Sequence, residues 1–220
     1  MSYLTIQNLC KNYVQAGQTI EVIKNLNLTV TKGETVAVLG QSGSGKSTLL
    51  SLLAGLDRPD SGEISIDSQN FLSMGEKDLS IFRGISMGIV FQQFHLMKHL
   101  TALENTALPL EIHKQADAKA NATKALKNVG LDHRLQHYPH QLSGGEQQRV
   151  AIARALVASP PLILADEPSG NLDSETGFMV MDQLFDLVKT KNITFILVTH
   201  NAQLSKKCDK IFTLTQGQLS

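Results

Sequence analysis

Apolar and polar positions alternate at both ends of the chain and shift to helical spacing in its middle. Leu4, Ile6 and Leu9 alternate imperfectly, and Val22, Leu26, Leu28 and Val30 do so more clearly, so both segments read as strands. Thr35 to Leu39 is a short β-rich run ending at Gly40, and Ser47 to Ala54 reads as a helix. Leu56 to Gly62, with Pro59 and Gly62, reads as a turn before a strand at Glu63 to Ile66. From about Phe94 to Val157 helical spacing takes over. Thr101 and Glu104 form a capping-box pattern that starts a helix near Ala102. Ala122, Ala125, Leu126 and Val129 recur at i, i+3, i+4, i+7, and Gly130 stands where that helix would stop. The last third returns to strand (Leu162 to Ala165), helix (Ser174 to Lys189) and strand (Ile193 to Thr199). Strands alternating with helices imply a parallel sheet with both faces covered. The expected architecture is an α/β core carrying a helical insertion over about 94–157.

Composition narrows the class. The 220 residues are 42% hydrophobic and 18% charged, which excludes a disordered or fibrous chain. Lys plus Arg and Asp plus Glu both count 20, and zero net charge argues against a generic nucleic-acid binder. Cys10 and Cys208 do not make a disulfide framework and read as idle thiols of a reducing compartment. No apolar run approaches the ~18 residues of a membrane span, and the first residues lack the pattern of a secretory signal.

Gly40-Gln41-Ser42-Gly43-Ser44-Gly45-Lys46-Ser47 matches G-x-x-x-x-G-K-[ST] in full, between an expected strand and an expected helix. The glycines let backbone N–H groups curl around an anion, and the helix N-terminus adds partial positive charge. Lys46 is placed to reach the β- and γ-phosphates and the Ser47 hydroxyl to ligate Mg²⁺, with Thr48 following in the first turn. Leu162 to Asp166 ends an apolar strand on a carboxylate suited to holding Mg²⁺, and Glu167 next to it can polarise a water. Pro168 then stops the strand. A second helix start, Ser143-Gly144-Gly145-Glu146, is a capping box that also bares N–H groups suited to a phosphate. One chain with one nucleotide rarely needs two such sites, so the second suits a nucleotide held by another copy.

At these residues the chain resembles the ATP-binding-cassette (ABC) ATPases. Leu142 to Arg149, LSGGEQQR, is similar to their signature motif, and with ILADEP it is close to diagnostic. The resemblance runs from residue 13 to residue 200. It implies a P-loop NTPase core with a mainly parallel sheet, an N-terminal antiparallel β-subdomain and an inserted α-helical subdomain, all in one nucleotide-binding domain over 1–220. It also implies roles for further residues. Tyr13 resembles the aromatic that stacks on adenine, though a strand-edge tyrosine is the plainer alternative. Gln92 resembles the glutamine that contacts Mg²⁺ and the attacking water, with Gln93 one register away. Ser169 to Asp173 resembles the loop that crosses between subunits, and His200 the histidine on the γ-phosphate. ATP and Mg²⁺ are the implied cofactors. A homodimer sandwiching ATP is implied, docked to a separate permease on the cytoplasmic face of the inner membrane. FHLMKHLTALENTALPLEI and ADEPSGNLD are similar to the lipoprotein-release and macrolide-efflux group, which usually has Thr in place of Ser169.

Other function classes fit less well. A cassette acting on DNA would carry a long coiled coil between the phosphate loop and the signature, and no sustained heptad occupies that gap. A regulatory module without turnover would be expected to lack Glu167 or His200. His133, His137 and His140 have metal-like spacing, but Pro139 breaks any shared helix. Phe94, Leu96 and Met97 offer apolar contacts either to a docking helix of the permease or to the core beneath the insertion.

Overall fold

A computed structural model describes residues 2–220. The chain begins with two long strands, β1 (Ser2–Gln15) and β2 (Gln18–Thr31), then β3 (Thr35–Leu39), α1 (Lys46–Leu53), β4 (Ser61–Ile66) and β5 (Gln69–Asn70). It continues through α2 (Glu76–Ser86), β6 (Met87–Val90), α3 (Ala102–Ile112), α4 (Ala118–Asn128) and α5 (Gly144–Leu156). The last part holds β7 (Leu162–Asp166), α6 (Ser174–Thr190), β8 (Thr194–Thr199), α7 (Ala202–Ser205), β9 (Lys210–Thr215) and β10 (Gln218–Leu219). An antiparallel sheet has the order β2-β1-β4-β5, and a second sheet the order β10-β9-β3-β8-β7-β6. In the second, β9, β3, β8, β7 and β6 are parallel and only β10 runs against its neighbour.

The two-residue period of the parallel strands sorts their side chains into two cores. Val36, Val38, Leu162, Leu164, Ile196 and Val198 face α1 and the antiparallel sheet, where Leu4, Ile6, Leu50 and Leu53 meet them. Ile163, Ala165, Phe195 and Leu197 face the other way, onto Val150 and Ile152 of α5 and Val180, Leu184 and Phe185 of α6. Covering both faces explains why these strands read as continuous apolar runs instead of alternating ones. α3 and α4 pack on each other and on α5, which links them to the sheet.

Both expected capping boxes form, at Thr101–Glu104 and Ser143–Glu146. α1 begins at Lys46, one residue before the expected start, because Gly45 takes the left-handed cap position with φ 101°. β8 begins at Thr194, one residue after the expected start, and β7 runs one residue further, to Asp166.

Candidate active site

The sheet register places the site. Leu39 pairs with Thr199, Val198 with Asp166, and Ala165 with Val90, so four parallel strands end at one edge. The residues just past those ends, the 40–45 loop, Glu167, His200 and Gln92, are thereby brought together from distant stretches of sequence. A cleft of about 700 Å³ is lined by Gln41, Ser42, Gly43, Gly45, Lys46, Ser47, Thr48, Gln92, Glu167 and His200, with Val22 of β2. Val22 had no sequence signal beyond its strand pattern.

Lys46 Nζ donates to the Gly40 and Gln41 carbonyls at 2.8 and 3.0 Å and lies 4.0 Å from Glu167 Oε1. The ammonium thus spans the mouth of its own loop. Gly45 has no room for a side chain, since a Cβ there would lie 2.9 Å from the Val22 carbonyl oxygen.

Glu167 is held from several sides. Its N–H donates to the Val198 carbonyl, Thr199 Oγ1 donates to Oε2 at 3.1 Å, and His200 Nδ1 lies 2.9 Å from Oε1. Its backbone φ is 44°, an unusual value for a non-glycine residue, and strain of this kind collects at functional sites. Next to it Asp166 is half-buried. Burial raises its pKa, as does the Glu167 charge, while the Ser47 hydroxyl and Lys46 oppose the rise. Asp166 Oδ1 is buried with no hydrogen-bond partner among the described residues. A buried carboxylate oxygen left free beside the Ser47 hydroxyl is an oxygen donor pair that fits a hard divalent cation.

Gln92 and Gln93 point to different places. Gln92 lines the cleft and donates to Asn171 Oδ1 at 3.3 Å, while Asn171 donates to the Gln92 carbonyl at 3.0 Å. Gln93 lines a separate groove of about 550 Å³ with Phe94, His95, Leu96, Lys98, Pro139, His140 and Gln147. Arg154 of α5 fixes the start of that segment by donating to the Phe94 and His95 carbonyls. Phe94 and Leu96 are half-buried and Met97 is exposed, so the segment is neither core nor a free loop. In the sequence Arg154 carries no motif signal, standing within the run Ala151 to Leu156.

Several expected site residues stand outside the cleft lining. Gly40 and Ser44 lie on the far side of the loop, in a second cleft toward β9. Tyr13 is on β1, 41% exposed, with its hydroxyl donating to Asp57. Asp173 caps α6 by accepting from the Thr176 N–H, which holds its carboxyl below the usual value, and it lines a small recess that shares Glu167 and His200 with the main cleft. Ser143, Gly144, Gly145 and Glu146 are also absent from the cleft. Ser143 Oγ accepts from the Glu146 N–H, and Glu146 accepts from the Ser143 N–H and from Arg134 at 2.9 Å. Burial would raise the Glu146 carboxyl, but these donors hold it below its ordinary value.

Comparison with known proteins gives a consistent picture. A family model described as ABC transporter matches residues 23–170. The lipoprotein-releasing system ATP-binding protein LolD of Geobacter metallireducens is 46% identical over 220 residues, covering 99% of this chain and 98% of that protein. An uncharacterized ABC transporter ATP-binding protein of Methanocaldococcus jannaschii is 48% identical over 215 residues, covering 97% and 96%. The dimeric bacterial ABC transporter cassette MJ0796 superposes with a TM-score of 0.92 at 40% identity, covering 99% of this chain and 96% of that one. The same cassette in a dimeric post-hydrolysis state with ADP and Pi superposes at 0.91.

Proposed function

The chain belongs to the ABC transporter family and is an ATP-hydrolysing subunit of it, and from there we propose that two copies clamp ATP between them to drive a separate permease. One observation carries this reading. The cleft gathers the phosphate loop, Gln92, Glu167 and His200, whereas the Ser143–Gly145 helix start lies outside it in the same chain. A second copy can supply that helix start to the open side of the cleft, giving the nucleotide anion contacts from both partners.

In this reading the whole chain acts as one cassette, with 94–157 as its inserted helical part. Lys46 leaves the Gly40 and Gln41 carbonyls for the β- and γ-phosphates of ATP. Glu167 takes up the attacking water, and its several contacts limit the reorganisation needed. His200 turns from Glu167 to the γ-phosphate, Gln92 orients the water, and Asp173 approaches the partner's nucleotide. Tyr13 stacks on adenine. Mg²⁺, held by Ser47, Asp166 and Gln92, would neutralise charge on the phosphate oxygens. The permease we assign is of the lipoprotein-release and macrolide-efflux type, at the cytoplasmic face of the inner membrane. Its docking helix fits the groove of Phe94 and Leu96. No helix among the described residues is long and apolar enough to cross a membrane.

The reading is tested with Glu167→Gln, which keeps the side chain's shape. ATP should bind, turnover should fall by roughly 10² or more, and an ATP-dependent dimer should accumulate on size-exclusion chromatography. A variant that stays monomeric at saturating ATP would count against the clamp.

A further inference from the structure

Tyr13 sits near the tip of the β1–β2 hairpin, between Lys11 and the exposed Val14. An aromatic side chain at such a tip should be free to change rotamer, and binding a ligand to it should then cost the entropy of fixing it. The structure removes that freedom in advance. Tyr13 OH donates to Asp57 Oδ2 at 2.7 Å. Asp57 Oδ1 accepts from Lys11 Nζ at 2.9 Å and from the Arg58 N–H at 2.7 Å. Lys11 is 9% exposed, donates also to the Arg58 carbonyl, and places its ammonium 5.0 Å from the Tyr13 ring centroid. Asn12, between them, donates its N–H to Asp60. One face of the ring is thus covered by a buried cation, and its hydroxyl is anchored.

The anchor is attached to the phosphate helix. Asp57 lies in the turn four residues past the end of α1, and its N–H reaches back to the Ser51 carbonyl of that helix at 3.3 Å. The helix that carries Lys46, Ser47 and Thr48 at its start therefore leads into the carboxylate that holds the tyrosine.

We propose that Asp57, with Lys11 beneath the ring, is a positioning residue that holds Tyr13 as a prebuilt stacking platform for the nucleobase, in fixed register with the phosphate loop. The idea rests on the assignment of Tyr13 to the base. It adds that the platform's affinity comes from the tether as well as from the ring. Burial alone would raise the Asp57 carboxyl, yet Tyr13, Lys11 and the Arg58 N–H hold it below the usual value, as expected of a carboxylate fully engaged in this cluster.

The test compares Tyr13→Ala, Tyr13→Phe and Asp57→Asn by steady-state ATP hydrolysis, with thermal unfolding of each. Tyr13→Ala should raise KM for ATP by about 5- to 100-fold, the scale of base–aromatic stacking. Tyr13→Phe keeps the ring and loses only the tether, and it should raise KM by roughly 3- to 10-fold with kcat much less affected. Asp57→Asn weakens the tether from a charge-assisted bond to a neutral one and should raise KM in the same direction, by no more than Tyr13→Phe does. Because that change strands a buried lysine, the double variant Lys11→Met/Asp57→Asn guards against misfolding and should show the same rise. If Tyr13→Ala raises KM while Tyr13→Phe leaves it at the wild-type value, the ring matters and the tether does not, which overturns the proposal. If Tyr13→Ala leaves KM unchanged, the assignment of Tyr13 to the base is itself wrong. A lowered melting temperature with unchanged KM in both Asp57 variants would make the cluster purely structural.

Discussion

His200 Nδ1 lies 2.9 Å from Glu167 Oε1, while the other oxygen of that carboxylate accepts from Thr199 at 3.1 Å. In the proposed reading His200 leaves Glu167 for the γ-phosphate, and Thr199 is then the side-chain hydroxyl restraining Glu167. Thr199→Val is nearly isosteric and removes that hydroxyl. It should lower kcat by roughly tenfold, since small misplacements of a reacting group are costly, and leave KM for ATP close to wild type. Stopped-flow phosphate release separates the two, and an unchanged kcat would show that the hydroxyl does not hold the base.

A Cβ on Gly145 would lie 2.5 Å from Thr176 Cγ2 of α6. Gly145 is therefore required for helix packing as well as for any anion approach. Gly145→Ala should destabilise the chain by about 1–3 kcal/mol through overpacking and reduce hydrolysis. Thr176→Ser deletes the methyl in question. The double variant should regain most of the lost melting temperature, and failure to regain it would place the strain elsewhere.

The site was more legible in the sequence than the frame around it. The phosphate loop, the 166–167 pair and the Ser143–Glu146 cap are local, and each is spelled by adjacent residues. Gln92 could not be separated from Gln93 because the choice depends on which side of β6 the chain leaves. The imperfect alternation after Ile6 has a physical source: Asn8 has φ 49°, the β1–β2 and β1–β4 registers shift there, and on β2 Asn25, against Cys10, has φ 46°. The apolar pattern predicts no element between 67 and 86. α2 lies there with Leu79 as its only buried side chain, on a cap, Gly75, that gives no side-chain signal. β9 carries as weak an apolar pattern, since along it only Leu214 is buried. The Tyr13–Asp57 contact joins residues 44 apart and has no local pattern to read.

The groove beside Phe94 and Leu96 should admit the permease only while it is open. Gln93→Trp fills it from an exposed position, where substitutions usually change stability by less than about 0.5 kcal/mol. The variant should bind ATP and melt like wild type but lose co-purification with the permease. Full-strength association would remove this groove from the interface.

Asp209 ties the start of β9 to the start of β3, accepting from both the N–H and the hydroxyl of Thr35 at 2.8 Å. The Thr35 N–H, then its hydroxyl, hold the carboxyl below the usual aspartate value. A depressed folded-state pKa contributes stability that is complete above the usual value and is lost as pH falls through the depressed one. Asp209→Asn should therefore melt about 2–4 °C lower at pH 7, with the gap closing in acid. A gap that stays constant as the pH is lowered through and well past the usual aspartate value would assign the loss to packing instead of charge.

The central claim is that each working site is shared between two copies, and mixing two inactive variants measures it most directly. Lys46→Ala removes the phosphate-loop charge, and Ser143→Arg blocks the helix start offered to the partner. Each variant alone should hydrolyse almost no ATP. In a mixed dimer one composite site carries both defects and the other carries neither. Half of randomly paired dimers are mixed, so an equal mixture should regain up to about a quarter of wild-type activity. Mixed dimers that form, as shown by tag-based pull-down, yet stay inactive would contradict the shared site.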